Sequence, residues 1–163
     1  MVICLFLALV SCGNDDNDAN DDSRLGNSFF TAEIEGVTYD AGVIVAQITS
    51  QKRYIGITTS ESAGAGNGLS IGIGTAESTA DPLAVGTYNT ADENNTVIVY
   101  LEGGTTSYQT FDTEATGTVT ITELDENNKT ISGNFQGTLT NFGSNETVMV
   151  TNGVFQNIEY TEN

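Results

Sequence analysis

The chain has 163 residues, a formal net charge of −18, only four basic residues and no histidine. An acidic surface of this kind repels phosphate backbones, so we expect no nucleic acid among its partners. Without histidine the commonest general base is missing, and the only two cysteines, Cys4 and Cys12, lie close to the N-terminus. We therefore expect no cofactor, no metal centre and no catalytic residue of these kinds in the rest of the chain.

The chain begins with an apolar run that ends in Leu9-Val10-Ser11-Cys12. Ten residues span only about 15 Å as a helix, whereas a bilayer core is about 30 Å thick. The run is typical of the apolar core of a signal peptide, and its end reads as a bacterial lipobox. We predict a signal peptide over residues 1–11 and lipidation of Cys12. No Lys or Arg precedes the run, and a start codon further upstream would supply one.

Residues 12–27 are predicted to be the lipidated cysteine and an acidic, disordered tether. Five aspartates follow Cys12 between Asp15 and Asp22, and they repel one another. Such a run also suggests calcium, but the EF-hand spacing is not met, since no glycine stands at the turn position. We expect an outer-membrane lipoprotein, anchored by lipid and exposed at the cell surface.

Residues 28–163 are predicted to form a single β-domain. Short runs rich in Val, Ile, Thr, Tyr and Phe recur, and Gly, Asn and Asp separate them. This pattern favours an all-β fold: an antiparallel β-barrel or β-sandwich of about ten strands, with a lipocalin-like meander as one form. After Arg24 acids outnumber basic residues by 17 to 3, which favours solubility outside the cell.

In chain order, the first predicted element is a hairpin of strands 29–35 and 37–41, with its turn at Glu35-Gly36. Residues 43–49 and 53–59 follow as a second pair, and 60–68 is predicted to be a flexible loop. Leu69, Ile71 and Ile73 alternate with small residues and predict a half-buried strand. Its glycines are expected to admit another backbone or a curved sheet. Residues 76–85 are predicted to be a loop, after which Gly86-Thr87-Tyr88 resumes the sheet.

The second half is predicted to contain a central strand at 97–101 and a short edge strand at 107–111. Residues 116–124, 130–139 and 147–160 are expected to form a C-terminal meander. Directly opposed residues share a face, so a four-residue loop at 125–128 would set Val119 against Asn134. We therefore expect a loop of three or five residues with an Asn in the left-handed conformation. Phe155 breaks the parity of Val148 and Val150, which predicts a bulge at Asn152-Gly153.

Several short motifs occur together in a fixed order and carry a resemblance to a known family. The motifs are Phe30-x-Ala32-x-Ile34-x-Gly36-x-x-Tyr39, Gly86-Thr87-Tyr88, Gly117 to Thr122, Ile131 to Phe135, and Thr151 to Phe155. In this order, over residues 28–160, the chain resembles a family of uncharacterised Bacteroidota-type lipoproteins classed as a domain of unknown function. That family typically has Trp where this chain has Tyr39. The resemblance implies an all-β domain and an anchored location; an acidic run after the lipid cysteine is similar to the family's export signal.

Carboxylates and tyrosines are the chemical groups that remain. A glycoside hydrolase needs two carboxylates about 5–10 Å apart. Glu33 and Glu35 share a strand face, and Glu102, Asp112 and Glu114 lie near loops, but a solvated acidic surface explains the same residues.

Four tyrosines offer a second kind of site. Tyr88 and Tyr108, with Tyr54 and Tyr100, are candidates for a platform that stacks against sugar rings; filling of the core and its edges is the alternative. A closed barrel also allows a hydrophobic cavity. We expect a non-catalytic module that binds a glycan, a small hydrophobic ligand or a partner outer-membrane protein. A carboxylate-based glycosidase is the alternative function.

Overall fold

All regular structure in the described residues is β. The computed structural model describes residues 28–49, 51–62, 66–74, 81–91, 96–110 and 116–163. The predicted signal peptide, Cys12 and the tether lie outside these residues. Within the described residues eleven strands form one sheet. In chain order they are β1 Phe29–Ile34, β2 Val37–Ile48, β3 Tyr54–Glu61, β4 Gly68–Gly74, β5 Gly86–Asn89, β6 Val97–Glu102, β7 Thr106–Gln109, β8 Thr116–Asp125, β9 Thr130–Thr140, β10 Thr147–Glu159 and β11 Thr161–Glu162.

Eight of the strands close into an antiparallel barrel, which decides between the predicted barrel and sandwich. The ring runs β1-β2-β3-β4-β6-β7-β9-β10, and β10 pairs with both β9 and β1. On its other edge β9 pairs with β8 along most of its length and with β7 only at Thr140. β5 pairs with β8, and the short β11 runs parallel to β2. The ring is therefore not a simple meander, because β5 and β8 branch from it.

The first hairpin forms where the sequence predicts it. Glu35 and Gly36 both have positive φ, 51° and 78°, which suits the twist of a two-residue hairpin turn. Phe30, Ala32 and Ile34 all face the core, as their alternation predicts.

The two segments predicted at 37–41 and 43–49 are one strand, β2. A bulge between Ala41 and Val43 inverts the alternation, so Tyr39 and Ala46 both point inward. The prediction of two separate strands was wrong. In a sequence, a bulge within a strand and the end of a strand both interrupt the alternation of apolar and polar residues, so the pattern does not distinguish them. Gly42 stands at the bulge, where an added Cβ would lie 2.8 Å from Ser62 Cα.

The edge strand predicted at 107–111 is β7, and it completes the ring. β7 pairs with β6 along its length and reaches β9 through Gln109 and Thr140. β7 therefore closes the ring through a single residue pair with β9. The alternation of apolar and polar residues in so short a segment does not predict that pairing.

The C-terminal meander β8-β9-β10 is confirmed, but the predicted loop length is wrong. Asp125 pairs with Thr130, which leaves a loop of four residues, 126–129. A bulge between Ile121 and Glu123 restores the register instead and sets Val119 opposite Phe135. The left-handed residue is Lys129, at φ 55°, rather than an asparagine.

The last strand carries the predicted bulge and a second one. The pairing of β10 with β9 shifts between Val150 and Gly153, where Asn152 has φ 51°. It shifts again between Phe155 and Ile158, where Asn157 has φ 49°. The two bulges let Val150, Phe155 and Ile158 all reach the core, where they are at most 1% exposed.

Candidate functional site: the distal mouth of the barrel

The two ends of the barrel differ in the charged residues that lie there. Ser28 enters at the end that holds the β2–β3 loop and the β8–β9 loop; we call this the proximal end. Lys52, Arg53 and Lys129 all lie in these loops, and Lys52 Nζ lies 2.6 Å from Glu126 Oε2. Leu83 and Tyr160, at 7% and 3% exposure, are buried against the core from the loops at this end.

The opposite end, which we call the distal mouth, holds a cavity of about 260 Å³. It lies beside the β1–β2 turn, and the ends of β3 and β6 contribute to it. Six of the lining residues have aromatic, carboxylate or amide side chains: Tyr39, Tyr100, Glu35, Glu61, Glu102 and Asn67. No Lys or Arg in the described part of the chain lies at this end.

Hairpin geometry places the glutamates at the distal mouth. Glu61 ends β3 and Glu102 ends β6, and both strands run from the proximal to the distal end of the barrel. Asn67 joins the two: its Nδ2 donates to Glu61 Oε2 at 2.8 Å, and its Oδ1 accepts from Gly103 N at 2.9 Å. The carboxylates therefore sit on strand ends held together by a defined hydrogen-bond bridge.

Tyr39 and Tyr100 form the wall behind these carboxylates, and Tyr108 stacks on Tyr100. Tyr39 is 2% exposed, and its hydroxyl forms a 2.7 Å hydrogen bond with Thr59 Oγ1. Tyr100 and Tyr108 stack at 6.1 Å between ring centroids, and Tyr108 Oη donates to Glu102 Oε2 at 3.3 Å.

The tyrosines of this wall are neutral at physiological pH. Burial is the main cause that raises the pKa of Tyr39, Tyr100 and Tyr108 above the usual value. Negative charge on Glu61 adds to the rise at Tyr39, and Glu102 adds to it at Tyr100 and Tyr108. The distal mouth thus presents neutral aromatic rings together with carboxylates that have no described Lys or Arg beside them.

The structure does not bring the four tyrosines of the predicted sugar platform together. Tyr100 and Tyr108 belong to the core, whereas Tyr88 lies on β5, which is not a neighbour of β7. Tyr88 Oη donates to Ala84 O at 2.9 Å and accepts from Ala84 N at 3.0 Å. Tyr54 lies on the outside of the barrel and fills the space beside Gly56 of β3 and Gly72 of β4.

The candidate carboxylates Glu33, on β1, and Glu35, in the β1–β2 turn, both contact β10. Glu33 Oε2 accepts from Asn152 Nδ2 at 2.9 Å, and Glu35 Oε1 accepts from Met149 N. The first hydrogen bond joins β1 to β10, and the second joins the β1–β2 turn to β10. Asp112 and Glu114 lie outside the described residues.

Sequence reasoning missed Tyr39, Glu61 and Asn67 as site residues. Strand order would have found them, because an antiparallel ring puts the end of every second strand at the same mouth. Among the described residues no group of three His, Cys, Asp or Glu side chains is arranged to hold a metal ion. Nor does any helix among them have the length and apolar character needed to cross a bilayer.

Comparison with family models finds a family that covers most of the chain. The family model described as "Domain of unknown function (DUF6252)" matches residues 26–159. No curated protein matches the chain, and no solved structure matches it.

Proposed function

The chain belongs to the DUF6252 family, whose description states no activity, and from the site we propose a lipid-anchored, non-catalytic binding module of the Bacteroidota lipoprotein type. Cys12 carries the lipid and residues 13–27 connect it to the barrel. Fully extended, those residues span about 50 Å. The module is held at the outer membrane and faces outward.

The position of the distal mouth supports this proposal. Residue 28 enters at the proximal end, so a tether from the membrane leaves the distal mouth on the far side of the barrel. A cavity there is open to ligands that approach from the medium.

The chemistry of the distal mouth favours a ligand that carries an ammonium group. Carboxylates of Glu61 and Glu102 attract a cation, and no described Lys or Arg lies nearby to neutralise them. The neutral ring of Tyr100 adds the attraction of an aromatic face for a cation, worth about 0.5–2 kcal/mol. A cavity of about 260 Å³ suits a small amine or one basic side chain of a partner protein.

Replacement of Cys12 tests the anchor. Cys12→Ala should move the protein from the membrane fraction to the soluble fraction of the native cells. Wild-type protein in the soluble fraction, or an unchanged membrane fraction for Cys12→Ala, would contradict the proposal.

Outward exposure has its own test, protease shaving of intact cells. Shaving should remove the wild-type domain and spare a variant in which Asp15, Asp16 and Asp18 are Ala. Failure to shave wild-type cells would place the domain in the periplasm.

Binding is tested with small ammonium compounds, namely choline, putrescine and lysine methyl ester, by calorimetry on the lipidated protein in detergent. We expect saturable binding that Glu61→Gln and Glu102→Gln each weaken about tenfold, a loss of about 1.4 kcal/mol. Glu159→Gln, which changes an exposed glutamate at the proximal end, should bind as the wild type does. No product should form; hydrolysis of a polysaccharide panel that one Glu→Gln change abolishes would favour the glycosidase instead.

A further inference from the structure

A second concave region lies on the outside of the barrel, away from the distal mouth. It covers the outer face of β8, β9 and β10 and the end of β5, and it consists of two adjoining cavities of about 530 and 480 Å³. Thr118 and Gln136 line both cavities. We call this region the polar groove.

The side chains of the polar groove are uncharged and mostly carry hydroxyl or amide groups. Cross-strand register brings them into rows: Thr116 faces Thr138, Thr118 faces Gln136, and Thr120 faces Asn134. Met149, at 54% exposure, adds an apolar side chain beside Thr138. Among the described residues no acidic side chain lines this groove, although the chain as a whole is strongly anionic.

These polar groups are available to a ligand. In the part of the chain that the structure describes, the side chains of Thr118, Asn134 and Gln136 make no hydrogen bond to protein. Each sits on a strand paired along both edges, so its position is set by the sheet rather than by a loop.

The same pairing decides the class of ligand. Where they line the groove, β8, β9 and β10 have partners on both sides, so these stretches cannot add an extended peptide strand. Among the lining residues that the structure describes, a cation finds no carboxylate and an anion finds no basic group. Hydroxyl and amide side chains at fixed spacing instead match a neutral polyhydroxylated ligand, which exchanges hydrogen bonds with them.

We propose that the polar groove binds a neutral oligosaccharide through Thr118 and Gln136 and their cross-strand neighbours. This site is separate from the distal mouth and does not depend on a ligand bound there. Two sites of different chemistry allow one molecule to hold a glycan on its side while its end contacts a cationic group.

The test uses the intact protein with maltohexaose, xylohexaose and laminarihexaose as neutral probes and an oligogalacturonate as the charged one. Calorimetry should detect at least one neutral probe and no binding of the oligogalacturonate. The double variant Thr118→Val/Gln136→Ala should weaken binding about tenfold, since two hydrogen-bonding groups are removed. Thr58→Val, an exposed site on the outside of β3, is the matched control and should bind normally.

Two further measurements keep the outcome unambiguous. The thermal midpoint of each variant should equal that of the wild type, and Glu61→Gln should bind the neutral probe unchanged, which separates this site from the distal mouth. If no neutral probe binds at millimolar concentration, or if the groove variants bind as tightly as Thr58→Val, the proposal is wrong. The same holds if the groove variants instead abolish self-association of the protein.

Discussion

Two phenylalanines in the core each lie over a glycine of the neighbouring strand. Phe155 pairs with Gly133, and Phe135 pairs with Gly153, so the two contacts are reciprocal. A Cβ at Gly153 would lie 2.5 Å from Phe135 O and 2.7 Å from its ring. The rings of Phe30, Phe135 and Phe155 then pack with centroids 5.1 and 6.4 Å apart. At these positions glycine is needed because its missing side chain is the space that a ring fills.

Gly133→Ala should therefore destabilise the barrel. The new methyl group would overlap Thr120 O and the Phe155 ring, and overpacking of this kind costs about 1–3 kcal/mol. Chemical denaturation followed by tyrosine fluorescence measures the change. Gly56→Ala is the control: its nearest atom, Tyr54 Cε1, lies 3.7 Å away, so the free energy of unfolding should stay within about 0.5 kcal/mol. Equal effects of the two changes would show that packing at Gly133 is not the cause.

At the scale of the strand, the turn of the β8–β9 hairpin and a bulge in β8 together set the register of the two strands. Asp125 Oδ1 accepts from Asn127 N at 2.8 Å and from Asn128 N at 2.9 Å, and Oδ2 accepts from Asn128 Nδ2 at 2.7 Å. These bonds organise the four-residue loop, and the bulge after Ile121 compensates for its length. The hydrogen bonds from Asn128 and Asn127 hold the pKa of Asp125 below its usual value.

Asp125→Ala should lower stability at neutral pH and lose that effect in acid. Because the pKa of Asp125 is lower in the folded state, its contribution is present above the unfolded value near 3.8 and disappears as the pH falls through the folded value. Urea unfolding of both proteins at pH 7 and pH 2.5 measures this. Asp125→Asn, which keeps the Oδ1 acceptor, should fall between them at pH 7. A difference between wild type and Asp125→Ala that persists unchanged at pH 2.5 would contradict the explanation.

Across the whole molecule, the buried neutral tyrosines and the ion pair of Lys52 with Glu126 at the proximal end predict the same dependence of stability on pH. Burial raises the pKa of five tyrosines, and the hydrogen bond from Lys52 to Glu126 raises the pKa of Lys52. The five are Tyr39, Tyr54, Tyr100, Tyr108 and Tyr160. In each case the folded pKa exceeds the unfolded one, so the stabilisation is complete below about pH 10 and is lost as the pH rises through the folded values.

The free energy of unfolding should therefore fall as the pH rises above about 10. Urea unfolding at pH 7, 9 and 11, with tyrosinate absorbance at 295 nm in parallel, measures it. Bound choline, whose quaternary ammonium group keeps its charge at high pH, should favour ionised Tyr100 and shift the absorbance change to lower pH. Glu159→Gln should leave that shift intact, whereas Glu61→Gln and Glu102→Gln should reduce it; stability that does not change up to pH 11 would contradict the assignment.

Local pattern determined much of this protein without any structure: the all-β class, the Glu35-Gly36 hairpin, the inward set of Phe30, Ala32 and Ile34, and the bulge at Asn152-Gly153. Each follows from alternation or turn chemistry, which neighbours in sequence decide. Barrel closure, the bulges at Gly42 and after Ile121, and the loop length at 126–129 needed the tertiary structure, because alternation does not say which strand lies opposite. Glu61, Asn67 and Glu102 meet for the same reason. Glu61 and Asn67 lie close together in the sequence, whereas Glu102 is far from both, and only the pairing of β4 with β3 and with β6 brings the three residues to one mouth.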